Sequence, residues 1–355
     1  MSVADLSGWL VAQSIQLSVV FAVVFVLDAW IARRGSVALR GALWAAFFVK
    51  LALPPQLASP VSIARVFSED GGAARVLAVR SVDESQSGLA GLIVGVWVIG
   101  CAVCVTLALA RMRRARGTLL ANARAAAPSV ERVCRQLALQ RGQKRAPKLR
   151  VSDENHGPAT LGLFDPVILV PRALVRRPRA SALEHVLLHE LAHVRRRDAW
   201  RALAWTLARC VYWFHPLVHV AARRAALLRE IACDEAAASA AHDGTNGYRR
   251  TLLELARPLL GPVPAINGFG GSGAMIVARL QRLSHTPCAP RARCDVLAVT
   301  AFVLLCACCL PLGVRSLPDP SLPALSEVDG CLRKRFIVMA ELARTQEHAP
   351  ASAND

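Results

Sequence analysis

Four stretches of the chain stay mostly apolar on all sides rather than at one position in two or one in three or four. The first runs from about Gly8 to Ile31, with Gln13, Gln16 and Asp28 as its main polar breaks. The second, about Val37 to Leu53, is short, carries Lys50 and ends at Pro54-Pro55. The third, Gly88 to Ala110, and the fourth, Val296 to Val314, contain no charged residue. A helix needs roughly 20 apolar residues to cross about 30 Å of hydrocarbon. The pattern therefore predicts four transmembrane helices, with the Lys50 ammonium snorkelling to the interface. The first apolar run follows no basic leader and no cleavage site, which predicts that it is retained.

Between the third and fourth stretches the pattern changes. Apolar residues recur near a 3.6 period over Val130–Leu139, predicting an amphipathic helix. Strands are expected at Lys148–Ser152, Leu161–Phe164 and Val167–Val170. Pro166 and Pro171 bound the last of these and suit an edge strand. From Ala180 nearly to Leu260 the reading is helical, and 261–273, rich in Gly and Pro, reads as a loop. The expected architecture is a multi-pass α-helical membrane protein with a mainly α, α+β domain inserted between helices three and four. Its parts are a membrane region over 1–110 (spans about 8–31, 37–53 and 88–110), a domain over 111–293, a fourth helix over 294–314 and a tail over 315–355.

Charge gives the orientation. Arg33, Arg34 and Arg40 separate the first two spans, and Arg111, Arg113, Arg114 and Arg116 follow the third. Lys and Arg mark cytoplasmic flanks. The segment 111–293 is thus expected in the cytoplasm, with both termini on the other side of the membrane. Composition agrees: 54% of residues are hydrophobic, 19% are charged and the net charge is +18, while mean hydropathy is +0.38. A basic, apolar chain fits anionic membrane lipid as a partner. Direct nucleic-acid binding is not expected, because the arginines stand beside apolar segments rather than among exposed aromatics. The eleven cysteines include Cys101, Cys104, Cys306, Cys308 and Cys309 in apolar runs, where Cys behaves as a small hydrophobe, so neither a zinc ribbon nor a disulfide scaffold is expected.

The chemistry lies in His189-Glu190-Leu191-Ala192-His193, an H-E-x-x-H string in a segment read as helical. Residues four apart share a helix face, so both imidazoles can hold one Zn2+. Glu190 then stands beside the first ligand as general base. Chance would produce the string in about one such sequence per hundred. A catalytic zinc needs a third protein ligand, and no H-x-x-G-x-x-H extension supplies one. Glu230 is the candidate, with Asp234 one turn on placed to hold a ligating histidine by its other nitrogen. His215 and His219 are also four apart but lack the adjacent Glu and enclose Pro216, so they are read as structural or substrate-lining. For the oxyanion-stabilising group, Tyr212, His215 and Tyr248 stay open.

These strings together resemble the BlaR/MecR-type family of bacterial membrane zinc metallopeptidases. The matching pieces are Leu161-Gly162 through Ile168-Leu169-Val170-Pro171, the H-E-x-x-H string with Arg197-Asp198, Trp213-Phe214-His215-Pro216-Leu217, and Glu230 through Cys233-Asp234. The resemblance implies a gluzincin-like site with ligands His189, His193 and Glu230, and Glu190 catalytic. It implies that the strand Val167, Ile168, Leu169, Val170 lines the cleft and pairs with substrate. It also implies a signalling endopeptidase whose protein substrate is cytoplasmic or membrane-proximal, a transcriptional repressor being the family's type, and it is compatible with a homo-oligomer. The antibiotic-sensing members carry a penicillin-binding domain after the last span. Here about forty residues follow Val314 without a Ser-x-x-Lys, so β-lactam sensing is not expected. The alternatives are a quality-control membrane protease of the heat-shock or CAAX-processing type, or a non-catalytic receptor or scaffold.

Overall fold

The computed structural model describes residues 3–32, 36–53, 87–152, 157–176, 180–257 and 272–284. The fourth apolar stretch, the tail and most of the expected Gly/Pro loop lie outside the described residues. Among the described residues are ten helices and four strands. Two long helices, α1 (Val3–Ile31) and α3 (Ser87–Ala121), contain stretches apolar and long enough to cross a membrane. Between them α2 (Val37–Ala52) starts at Ser36, whose Oγ accepts from Leu39 N. The third span was expected to stop at Ala110, but the helix continues through the arginines to Ala121.

A four-stranded sheet follows, built from β1 (Ala123–Ala125), β2 (Lys148–Ser152), β3 (Ala159–Leu161) and β4 (Val167–Pro171) in the order β1-β2-β4-β3. Helix α4 (Pro128–Gln140), opened by proline at its first turn, covers one part of it. Strand β4 pairs in parallel with β2, Leu149 opposite Ile168, and antiparallel with β3, Thr160 opposite Ile168. This corrects the edge-strand reading of Val167, Ile168, Leu169 and Val170. Both sides of β4 are occupied, so it has no ladder free for a substrate. Among the described residues the sheet ends in β3 on this side and in β1 on the other. The prolines misled because they stand at the strand's two ends, where a missing N–H costs little.

The remaining helices are α5 (Arg172–Arg176), α6 (Ala180–Arg196), α7 (Asp198–Val211), α8 (Pro216–Ala238), α9 (Gly244–Ala256) and α10 (Ser272–Ser284). Three apolar clusters position them. Leu187 and Leu191 of α6 pack on Ile168 and Val170 of the sheet and on Val130, Cys134 and Ala138 of α4. Leu188, on another side of α6, meets Ala237, Tyr248, Leu252 and Leu283. The third cluster joins Leu17, Phe21 and Val24 of α1 and Leu43, Trp44 and Phe47 of α2 to Tyr212, Val218, Ala221, Leu228 and Ile231. Helix α8 is thus shared between the sheet-and-helix part and the apolar helices, all within one compact unit.

Polar groups cross that third cluster. Arg40 donates to Asp28 at 2.6 Å and Arg224 does so at 2.8 Å. Lys50 was expected to snorkel; instead its side chain is fully buried and its Nζ donates to Gln16 Oε1 at 2.7 Å. The α1–α2 interface supplies a partner, so the ammonium has no need to reach an interface.

Candidate metal centre

Helix α6 presents His189, Glu190 and His193 on the side not taken by Leu187, Leu188 and Leu191. Their neighbours come from elsewhere in the chain. Glu230 and Asp234 lie one turn apart on α8, so both carboxylates reach His189, and Glu230 reaches His193 as well.

The three candidate ligand atoms form a small triangle. His189 Nε2 lies 3.2 Å from His193 Nε2. Glu230 Oε2 is 3.6 Å from the first and 3.7 Å from the second. Ligands about 2.0–2.1 Å from a tetrahedral zinc stand roughly 3.3–3.4 Å apart. The residues present therefore fit such an ion, with one atom contributed by each of three residues.

The other nitrogen of each imidazole is held. His193 Nδ1 meets Asp198 Oδ2 at 2.9 Å. His189 Nδ1 meets Asp234 Oδ1 at 3.1 Å and the Tyr248 hydroxyl at 3.0 Å. The Tyr248 hydroxyl also donates to Asp234 at 2.7 Å, and Arg279 donates to both Asp234 oxygens at 2.7 Å. Such outer partners fix the tautomer and ring orientation of a metal-binding histidine.

Asp198 reaches His193 because of a backbone break. Arg197 adopts a left-handed conformation, φ 54°, between α6 and α7. On a continuous helix, residue 198 would sit five positions on and point well away from His193. The αL residue turns the chain back and starts α7 at Asp198, at a cost of roughly 1–2 kcal/mol.

A second cluster, His193, Asp198 and Cys233, also has metal-binding chemistry. Asp198 and Cys233 are buried, which leaves no open position there for water or substrate. The His189, His193 and Glu230 side chains are 12%, 14% and 18% exposed and line an open cleft of about 510 Å³. The second cluster shares His193 through Nδ1 alone, so it acts as that residue's outer support.

Electrostatics point the same way. Burial disfavours charge on His193, yet its hydrogen bonds with Asp198, Cys233 and Glu230 outweigh this and push its pKa up to about 12. His189 is raised too, burial being overcome by Asp234 and Glu230. Burial likewise disfavours the Glu230 carboxylate, but the two imidazoles hold it well below the usual carboxylate range. A site this rich in carboxylates holds positive charge at its centre, as protons or as a divalent cation.

Glu190 is buried beside the triangle, and its Oε2 accepts from Thr160 Oγ at 2.6 Å. Thr160 lies on β3, the edge strand along the cleft. Gly162, φ +96°, lets the chain turn sharply after β3; a Cβ there would overlap the Asp165 carbonyl.

Of the three oxyanion candidates, none is free at the centre. Tyr212 and His215 bond to α2 and α1, and Tyr248 is spent on Asp234 and His189. His219 accepts from Arg209 and reaches Trp213 O, and His185 is held between Asp243 and Thr251. Sequence reasoning missed the parts played by Thr160, Asp198, Tyr248 and Arg279. Asp198 stood close enough to the H-E-x-x-H string to be a candidate. The other three meet the site only through tertiary contacts.

Comparison with known proteins gives the chain a family. Residues 9–265 match the BlaR1 peptidase M56 family. Among curated relatives, the chain is similar to a regulatory protein BlaR1 of Bacillus licheniformis, 38% identical over 77 residues, which is 22% of this chain and 13% of that protein. It is also similar to the methicillin resistance mecR1 protein of Staphylococcus aureus (strain Mu50 / ATCC 700699), 21% identical over 144 residues, 41% of this chain and 24% of that protein. The alignments thus span less than a quarter of either relative's length. With the family match covering most of its length, the chain belongs to the BlaR1 peptidase M56 family.

Proposed function

We propose that this chain is a membrane-embedded zinc endopeptidase of bacterial signal transduction, its site on the cytoplasmic side of the inner membrane. Its proposed substrate is a cytoplasmic or membrane-proximal protein, a transcriptional repressor being the class that the family suggests. The observation that carries the reading is the ligand triangle with Glu190 beside it. The proposed roles are His189, His193 and Glu230 as ligands, Asp198 and Asp234 as their supports, and Glu190 as base.

A zinc ion in the triangle would supply a Lewis acid and water acidified toward neutral pH. Glu190 would take the proton of the attacking water. Thr160 ties down its Oε2 and leaves Oε1 as the proton's acceptor. The substrate backbone would add as a strand to the outer edge of β3, which places its carbonyls along the cleft. Arg279 lines that cleft, its third guanidinium nitrogen 3.7 Å from Glu230 Oε2, and adds positive charge near the reacting carbonyl.

The membrane assignment rests on α3. It has exposed Leu92, Ile93, Val98 and Leu109 on several sides, and its span is not buried by protein. Surface of that kind is stable in lipid and not in water.

Removing the metal tests the function. Purified protein in lipid nanodiscs should degrade an unfolded model protein, stop when zinc is chelated, and recover when zinc is returned. Proteolysis that persists after complete chelation would overturn the zinc reading.

A further inference from the structure

The α7–α8 hairpin does work that the metal centre does not require. Its turn, Tyr212 to His215, lies against the middle of the apolar helices. On α3, Trp97 Nε1 donates to Val211 O at 2.9 Å, and the Trp213 ring covers Gly100, where a Cβ would overlap it. The uncharged stretch of α3 runs from Gly88 to Ala110, so these contacts fall at its centre. On α1, His215 Nε2 meets Ser14 O at 3.2 Å and Ser18 Oγ at 3.4 Å. These two residues straddle the centre of the uncharged stretch between Asp5 and Asp28. Two independent rulers thus give one depth.

We infer that α7 and α8 form a re-entrant hairpin whose tip lies near the bilayer midplane and packs on lipid acyl chains. Backbone at that depth finds no water and must be satisfied by protein. The structure meets this condition. Val211 O accepts from Trp97, and Trp213 O is reached by His219 Nε2 at 3.1 Å. The C-terminal carbonyls of α2 are met in the same way. Gln13 Nε2 donates to Lys50 O and Leu53 O, and the Tyr212 hydroxyl donates to Leu51 O.

The surface of the tip agrees. Leu207, Val211, Phe214 and Val220 are 49%, 37%, 39% and 40% exposed, next to the lipid-facing side chains of α3. Besides Arg223, a turn beyond Val220 on α8, the exposed charge in this region is Arg209. It donates to His219 and lines the groove between α2, α7 and α8 that leads back to Arg201 and Arg40, so its guanidinium has a polar route toward the cytoplasm.

The hairpin sets the depth of the metal centre. Fifteen residues of α8 separate His215 from Glu230, about 22 Å at 1.5 Å per residue. Half of the hydrocarbon layer is about 15 Å. Glu230 therefore stands in the cytoplasmic headgroup zone, and the substrate segment that reaches it lies on the inner membrane surface or emerges from it. The inference rests on the membrane reading of α3, and its test separates the two.

Photo-reactive benzoylphenylalanine is placed singly at Leu207, Phe214, Val220, Ile99 or Phe164 of the full chain in native membranes. Zinc content checks the fold of each variant, and three hairpin positions guard against the loss of one. Lipid adducts are expected at Ile99 and at the hairpin positions, with none at Phe164, which is 86% exposed beside the cleft. Lipid at Ile99 but not at the hairpin overturns the hairpin and leaves the membrane reading standing. No lipid at Ile99 overturns both. Protein–protein adducts at the hairpin would instead make this surface a contact between copies, which also refutes it.

Discussion

Replacing Asp198 with Asn keeps the shape of the side chain and removes its charge. Asp198 Oδ2 receives His193 Nδ1 at 2.9 Å and is almost fully buried, so this bond is shielded from water. A hydrogen bond to a charged group contributes about 1.5–3 kcal/mol. Removing the outer partner of a metal-binding histidine typically lowers affinity about 10–100-fold, equal to about 1.4–2.7 kcal/mol. The two ranges agree. Of its other contacts, Arg201, at 3.1 Å, is 57% exposed and screened by solvent, and the buried Cys233 thiol, at 3.3 Å, is a weak donor from which an amide oxygen still accepts. Competition with a chromophoric chelator should therefore show zinc binding about 10–100-fold weaker in Asp198→Asn. Asp243→Asn is the control: it removes a 2.7 Å contact to His185, which is no ligand, and should leave zinc affinity unchanged. Wild-type affinity in Asp198→Asn would refute the supporting role. Equal losses in both variants would point to general destabilisation.

Further outcomes follow from the same contacts. Thr160→Val removes the donor to Glu190 and should lower kcat about tenfold or more, with KM little changed. Zinc binding should weaken as pH falls. Both imidazoles must be unprotonated to bind, and their pKa values are raised without metal, so equilibrium dialysis should show a loss of about 10–100-fold per pH unit. Gly100→Ala places a methyl in the Trp213 ring and should cost about 1–3 kcal/mol, read as a lowered Tm in detergent. A reporter fused after Arg116 should report the cytoplasm, and one fused after Ala349 the periplasm; a periplasmic signal at Arg116 would reverse the proposed orientation.

What could be read from the sequence is local. The H-E-x-x-H string works because its spacing matches the helix period and its apolar neighbours bury one side of α6. Glu230 and Asp234 were legible for the same reason, one turn apart on α8. The positions of β2 and β4 were legible as short runs, β4 between its two prolines, whereas the placing of β4 between β2 and β3 is a long-range choice that flanking prolines do not encode. Lys50 could not be assigned to Gln16 from sequence because that contact depends on how α1 and α2 pack. Asp198 needed the αL turn at Arg197, a conformation that an arginine does not advertise. Thr160, Tyr248 and Arg279 come from a strand and two helices that converge only in the folded chain.

The central claim is that Glu190 moves a proton at a metal site it does not itself bind. The direct measurement is zinc content and proteolysis of wild type and Glu190→Gln, reconstituted side by side in the same lipid. The account predicts equal zinc in both proteins and loss of cleavage in Glu190→Gln. Normal cleavage by a zinc-loaded Glu190→Gln would contradict it.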